Sequence, residues 1–169
     1  MTLGGQYDWT AKVYPDEQPP PFPKDMQTLL SNIFPDTTAE AAIVNLYSPG
    51  DTLSLHRDVA ETSEKGLISI SIGCDALFIL GLDSTEEDHE GASRKAVLRL
   101  HSGDVVYMAG EARFAWHGVP VILPNTCPPG LRNWPAEDCA DGETCSNTYE
   151  RWRSWMMTKR ININVRQMK

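Results

Sequence analysis

The end of the chain constrains the fold most tightly. Lys159-Arg160-Ile161-Asn162-Ile163-Asn164-Val165-Arg166-Gln167 alternates strictly between polar and apolar residues. Period-two alternation is the signature of a β-strand, whose side chains point to opposite faces in turn. Ile161, Ile163 and Val165 then form one face, predicted to lie against a core. Arg160, Asn162, Asn164 and Arg166 form the other, with two guanidinium groups and two amides. A solvated polar face is ordinary in an antiparallel sheet.

Other short strands precede it. Alternating or β-rich runs predict strands at Ile43–Tyr47, Gly66–Gly73, Ala76–Leu80, Ala96–Leu100 and Val105–Met108. Turn residues separate them, as at Ser48-Pro49-Gly50-Asp51 and His101-Ser102-Gly103-Asp104. Met26, Leu29, Leu30 and Ile33 recur at helical spacing, predicting one amphipathic helix over Lys24–Ile33 after the stiff Pro19–Pro23 link. A second short helix is expected over Arg151–Met157. Residues 124–150 are rich in Pro, Asn, Asp, Gly and Cys without a period, which reads as a surface insertion loop. Many short strands, few helices and a closing strand predict a mostly-β fold, a double-stranded β-helix or jelly roll with one or two flanking helices. At 169 residues a single domain over 1–169 is expected.

Composition narrows the function. A net charge of −8 argues against whole-surface nucleic-acid binding, so any such contact needs a local patch. No apolar run approaches the roughly 18 residues of a membrane span, and no membrane role is expected. Cys74, Cys127, Cys139 and Cys145 contain no C-x-x-C pair and read as free thiols of a reducing, intracellular compartment. A zinc site from Cys127, Cys139 and Cys145 is the less favoured alternative.

Leu53-Ser54-Leu55-His56-Arg57-Asp58 reads as the end of another strand. Residues two apart on a strand share a face, so His56 and Asp58 aim an imidazole and a carboxylate at one point. That is two thirds of the 2-His-1-carboxylate set that binds non-haem Fe(II). His117 lies on a short apolar segment, Ala115–Pro120. A lone histidine there more often reads as a hydrogen-bonded core residue. His89 and His101 fall in an acidic loop and a turn and read as surface residues. Tyr7, Trp9 and Tyr14 sit near the start in a polar setting, where aromatics either pack on the domain or stack on a base.

Taken in order, the motifs resemble the AlkB family of Fe(II)- and 2-oxoglutarate-dependent dioxygenases, over nearly the whole chain. Asn45-Leu46-Tyr47 is similar to the family's N-x-Y segment, His56-Arg57-Asp58 to its H-x-D strand, and His101-Ser102-Gly103-Asp104 to its H-x-G-D turn. Trp116-His117-Gly118 carries the second histidine, and Arg160 to Gln167 resembles the R-x-N-x-[TN]-x-R-Q signature. Tyr7-Asp8-Trp9, Pro21-Phe22-Pro23 and the 124–150 loop resemble the eukaryotic AlkB homologue 1 branch in particular.

The resemblance implies that His56, Asp58 and His117 hold Fe(II). It implies that Arg160 and Tyr47 take the distal carboxylate of 2-oxoglutarate, with Asn45 and Arg166 at the near carboxylate and Asn162 lining the same pocket. Arg166 is also expected to hold Asp58. The implied reaction uses O2, with ascorbate as an optional reductant, to oxidise a methyl group on nitrogen and release it as formaldehyde. The implied partners are methylated DNA or RNA, as N6-methyladenine in DNA or methylated bases in tRNA. Unpaired, bulged or single-stranded substrates are preferred in this reading, because a base must leave its stack to reach buried iron. The implied location is the nucleus or mitochondrion; the oligomeric state stays open. Residues 1–23 are expected to be the remnant of the family's nucleotide-recognition lid and its linker. The chain departs from the family at Ala60, where the bacterial enzyme has an acidic residue, and at Gly5, where relatives carry a stacking tyrosine. Glu61, Tyr7 and Trp9 are therefore the expected substrate contacts. Two alternatives remain: the same chemistry on a protein such as a histone, and a non-catalytic jelly-roll binding module.

Overall fold

The computed structural model describes residues 1–15, 18–82, 94–136 and 147–169. His89, Cys139 and Cys145 lie outside them, so the surface placement of His89 and the three-cysteine zinc site do too. Among the described residues, nine strands form two antiparallel sheets. In chain order they are β1 (Thr2–Gly4), β2 (Ala41–Tyr47), β3 (Leu53–His56), β4 (Leu67–Gly73), β5 (Ala76–Gly81), β6 (Lys95–Leu100), β7 (Val105–Met108), β8 (Trp116–Ile122) and β9 (Arg160–Arg166). One sheet runs β1-β2-β9-β4-β7 and the other β3-β8-β5-β6. The non-sequential order is what a jelly roll requires, with strands alternating between sheets.

β9 sits at the centre of the larger sheet, paired with β2 on one side and β4 on the other. Both of its faces are covered, one by apolar packing and the other by the smaller sheet, so its polar residues line the interior. The Ile163 and Val165 face packs on helix α1 (Lys24–Ile33) through Leu30, Met26 and Phe34. Those residues are four apart, so one narrow stripe meets the sheet. Leu29 and Ile33, expected on that stripe, are instead exposed. The opposite face of β9 turns toward the smaller sheet and not toward solvent. Arg160 is 1% exposed and Arg166 is buried as well.

Three further expectations change. β1 pairs with β2 although its composition carried no strand signal. The helix expected over Arg151–Met157 is two separate 3-10 turns, Asn147–Trp152 and Met156–Thr158. Ser154, between them, has φ of 65°, a left-handed backbone that no continuous helix tolerates. The 124–150 segment is not simply a surface loop in its described part. Cys127 and Ala136 are buried there, and Leu131 packs on the core cluster that contains Met156.

Candidate active site

The two sheets enclose a cavity of about 480 Å³, within the usual range for small-ligand sites. Its floor comes from β9 and its neighbours. In the antiparallel ladder Asn162 lies opposite Asn45 and Ser71, and Arg160 opposite Tyr47 and Gly73. Directly opposed residues share a face, so Asn45, Tyr47, Arg160 and Asn162 are brought together. Arg160 donates from Nη2 to Ser71 Oγ at 2.8 Å and from Nη1 to the Cys74 carbonyl at 3.3 Å. Its Nε is buried without a hydrogen-bond partner. Among the described residues no carboxylate lies within ion-pair distance of it. Burial pulls its pKa down, and Tyr47 and Asp75 only partly offset this. A buried guanidinium with a spare N–H is costly and calls for an anion.

The smaller sheet supplies the histidines. His56 at the end of β3 and His117 on β8 are register partners, with ring centroids 4.3 Å apart. Each ring donates from Nδ1 to a main-chain carbonyl, His56 to Ser54 at 2.9 Å and His117 to Ala115 at 3.1 Å. That fixes both tautomers with the Nε2 lone pair free, the form a metal binds. Burial lowers the pKa of His117 and favours its neutral state.

Asp58 completes the group, but not for the reason alternation supplies. β3 ends at His56, and Asp58 lies on the irregular segment that follows. Its Oδ2 accepts from Arg166 Nη2 and Asn164 Nδ2, both at 3.0 Å. Its Oδ1 lies 3.8 Å from His56 Nε2. Desolvation would raise its pKa, but Arg166 and the two imidazoles more than reverse this and hold it below 3.8. One ligand atom from each of His56, Asp58 and His117 falls within 4.8 Å of the others. Two imidazoles presenting Nε2 and one carboxylate around a cavity are a donor set for non-haem Fe(II).

Comparison with known proteins agrees with that chemistry. The family model of the 2OG-Fe(II) oxygenase superfamily matches residues 1–166. The chain is 54% identical over its whole length to the N6-methyladenosine RNA demethylase ALKBH of Cryphonectria parasitica, covering 75% of that protein. The chain belongs to the AlkB family of 2-oxoglutarate-dependent Fe(II) oxygenases. It is also 42% identical to the tRNA demethylase abh1 of Schizosaccharomyces pombe, over all of this chain and 52% of abh1. A solved structure of OsALKBH1 superposes with a TM-score of 0.72 at 24% identity, over 99% of this chain and 76% of that one, which supports the jelly roll. The chain thus spans three quarters of one of these relatives and about half of another.

The family's metal and cosubstrate both fit the residues present. Fe(II) matches the tautomer-fixed histidines and the free Oδ1 of Asp58. A dicarboxylate matches Arg160, whose buried Nε lacks a partner and which lies where β9 begins. Tyr7 and Trp9 do line the cavity. Glu61 does not. Its side chain is fully buried, with Oε1 taking Arg166 Nη1 at 2.8 Å and Oε2 taking Arg113 Nη2 at 3.1 Å. Two buried guanidinium groups need a carboxylate between them, and Glu61 fills that need instead of facing a substrate. Both Nη atoms of Arg166 are likewise taken, by Asp58 and Glu61.

The sequence reading missed several residues of the site. Ser71 and Ser69 anchor Arg160 and Asn162; their alternation in Leu67-Ile68-Ser69-Ile70-Ser71-Ile72 marked one polar face, but not which strand it would meet. Lys12 and Arg113 carried no signal at all. Lys12 lines the cavity from a tight turn in which Asp8 Oδ1 accepts from the Thr10 and Ala11 amides at 2.8 and 2.9 Å.

Proposed function

We propose that this oxygenase removes methyl groups from ring or exocyclic nitrogens of nucleobases, in RNA before DNA, and takes the base unpaired. One observation carries the choice of a nucleic acid over a basic protein tail. The chain has a net charge of −8, yet the charged residues lining its cavity are Lys12, Arg57, Arg160 and Arg166 against the single acid Asp58. Arg160 is reserved for the cosubstrate and Arg166 is matched by Asp58 and Glu61. Lys12 lines the same cavity as Trp9, which is 62% exposed, while the Arg57 guanidinium lies over the Trp116 ring at 4.9 Å. Cations and an open aromatic face together suit a phosphate backbone and a stacked base. A methylated lysine tail would meet like charge there. The RNA substrates named for the Cryphonectria parasitica and Schizosaccharomyces pombe relatives point the same way.

His56, Asp58 and His117 would hold Fe(II) on one side, while Arg160, with Tyr47 opposite it, would bind the distal carboxylate of 2-oxoglutarate by charge-assisted hydrogen bonds. Asn45 and Asn162 would line the cosubstrate between them. When bound, iron and 2-oxoglutarate supply O2-driven oxidation of the N-methyl C–H bond, with succinate, CO2 and finally formaldehyde as products. The protein orients and keeps water away. Leu67, Phe78, Leu100, Met108 and Val119 are among the apolar residues of the cavity wall. Trp9 would stack on the extruded base and Lys12 would meet its phosphate. A base already outside a helix avoids the few kcal/mol of extrusion.

The test is formaldehyde release with Fe(II), 2-oxoglutarate and ascorbate at fixed salt. Substrates are one methylated adenine in single-stranded, bulged and fully paired RNA and DNA, and a methylated histone-tail peptide. Single-stranded or bulged RNA is expected to react fastest. Preferred turnover of the peptide would overturn the nucleic-acid reading, and equal turnover of the perfect duplex would overturn the preference for unpaired bases.

A further inference from the structure

Asp58 is the least supported of the three metal-binding side chains by secondary structure. It lies two residues beyond the end of β3, on a segment with no ladder hydrogen bonds of its own. Its position nevertheless has a visible cause. Arg113, from the 3-10 turn Gly110–Phe114, extends into that segment and is 1% exposed. It donates from Nη1 to the Asp58 carbonyl at 2.7 Å and from Nε to the Lys65 carbonyl at 2.8 Å. Its Nη2 meets Glu61 Oε2 at 3.1 Å. Glu61 Oε1 takes Arg166 Nη1 at 2.8 Å, and Arg166 Nη2 returns to Asp58 Oδ2 at 3.0 Å.

These contacts close a ring. One guanidinium holds the main chain of Asp58, the other holds its carboxylate, and Glu61 ties the two together. Two arginines and two carboxylates make the ring formally neutral, so four buried charges compensate one another. Oδ2 is occupied by two donors, Arg166 and Asn164, while Oδ1 is left on the side of His56. The ring therefore selects which oxygen of Asp58 faces the metal position. Arg113 also precedes His117 by four residues. The connection that leads into the second histidine's strand thus carries the group that places the carboxylate.

We propose that Arg113 and Glu61 are positioning residues that pre-set Asp58 as a one-oxygen metal ligand. The inference rests on His56, Asp58 and His117 being the metal site. Mn(II) binding by the unmodified protein, measured by calorimetry, tests that premise separately. Glu61→Gln keeps shape but breaks the charge balance, leaving two guanidinium groups with one carboxylate. Arg113→Lys keeps charge but has only one nitrogen for three acceptors in fixed directions. Outer partners of metal ligands typically tune affinity about tenfold to a hundredfold. Mn(II) affinity per folded molecule is expected to fall by about that factor in both variants, and 2-oxoglutarate turnover without substrate oxidation should rise as Asp58 loses its fixed orientation. Arg113→Lys should retain more affinity than Arg113→Met. The folded fraction is read from near-ultraviolet circular dichroism of the metal-free protein. Wild-type Mn(II) affinity in folded Glu61→Gln protein would overturn the proposal. So would losses in every variant that track only the unfolded fraction, since the ring would then serve folding and not the metal.

Discussion

Replacing Arg160 with lysine keeps the charge and removes the geometry, so it isolates what the guanidinium does. Arg160 is 1% exposed, engages Ser71 and Cys74 through Nη2 and Nη1, and retains Nε unpartnered. A dicarboxylate arriving beside it can accept from the spare Nε–H and from a second N–H of the planar fork. A lysine ammonium has a shorter reach and must also satisfy Ser71 Oγ and the Cys74 carbonyl. The variant is therefore expected to lose about one charge-assisted hydrogen bond to the distal carboxylate, worth about 1.5–3 kcal/mol. That corresponds to a KM for 2-oxoglutarate raised roughly 10- to 150-fold. kcat at saturating cosubstrate should change far less, because Arg160 touches neither the metal ligands nor the cavity mouth. The assay is succinate formation against 2-oxoglutarate concentration, paired with Mn(II) calorimetry, which should match the wild type. An unchanged KM with intact folding would refute the argument, and the unpaired guanidinium would need another anion.

His117→Ala is expected to abolish metal binding while the sheets persist, because among the described residues the His117 ring hydrogen-bonds the local Ala115 carbonyl and no distant segment; calorimetry with Mn(II) and circular dichroism read the two separately. Trp9→Ala should cost about 1–3 kcal/mol of binding to single-stranded RNA, seen as a raised oligonucleotide KM with the KM for 2-oxoglutarate unchanged. Lys12→Glu should weaken RNA and flatten the dependence of its binding on salt, since a phosphate contact releases counterions; an unaltered salt slope would remove Lys12 from the interface. Asp58 has a folded-state pKa below 3.8, so it stabilises the metal-free fold above that pH and the contribution drains away as pH falls through the folded value. Asp58→Asn should therefore flatten the acid side of the melting-temperature profile of metal-free protein, below the usual carboxylate range.

Alternation alone determined much of this protein. A period of two places Ile161, Ile163 and Val165 on one face and Arg160, Asn162, Asn164 and Arg166 on the other, whatever the partners. The same rule marks β4, β-rich runs mark β2, β5, β6 and β7, and short strands separated by turns leave few folds besides a two-sheet roll. Strand spacing paired His56 with Asp58, whereas His117 joined them only through the family resemblance that the R-x-N-x-N-x-R run completes. Tertiary structure decided the rest, because it concerns pairs distant in the chain. The register that sets His56 against His117 joins residues 61 positions apart. Glu61 read as a substrate contact from its place beside Ala60, but Arg166, 105 residues away, and Arg113 claim both of its oxygens. Asp58 follows the same logic: the strand that should aim it ends at His56, and a buried ring of charges aims it instead. Local pattern fixes which face a side chain takes, whereas compensation of buried charge is settled only when distant segments meet.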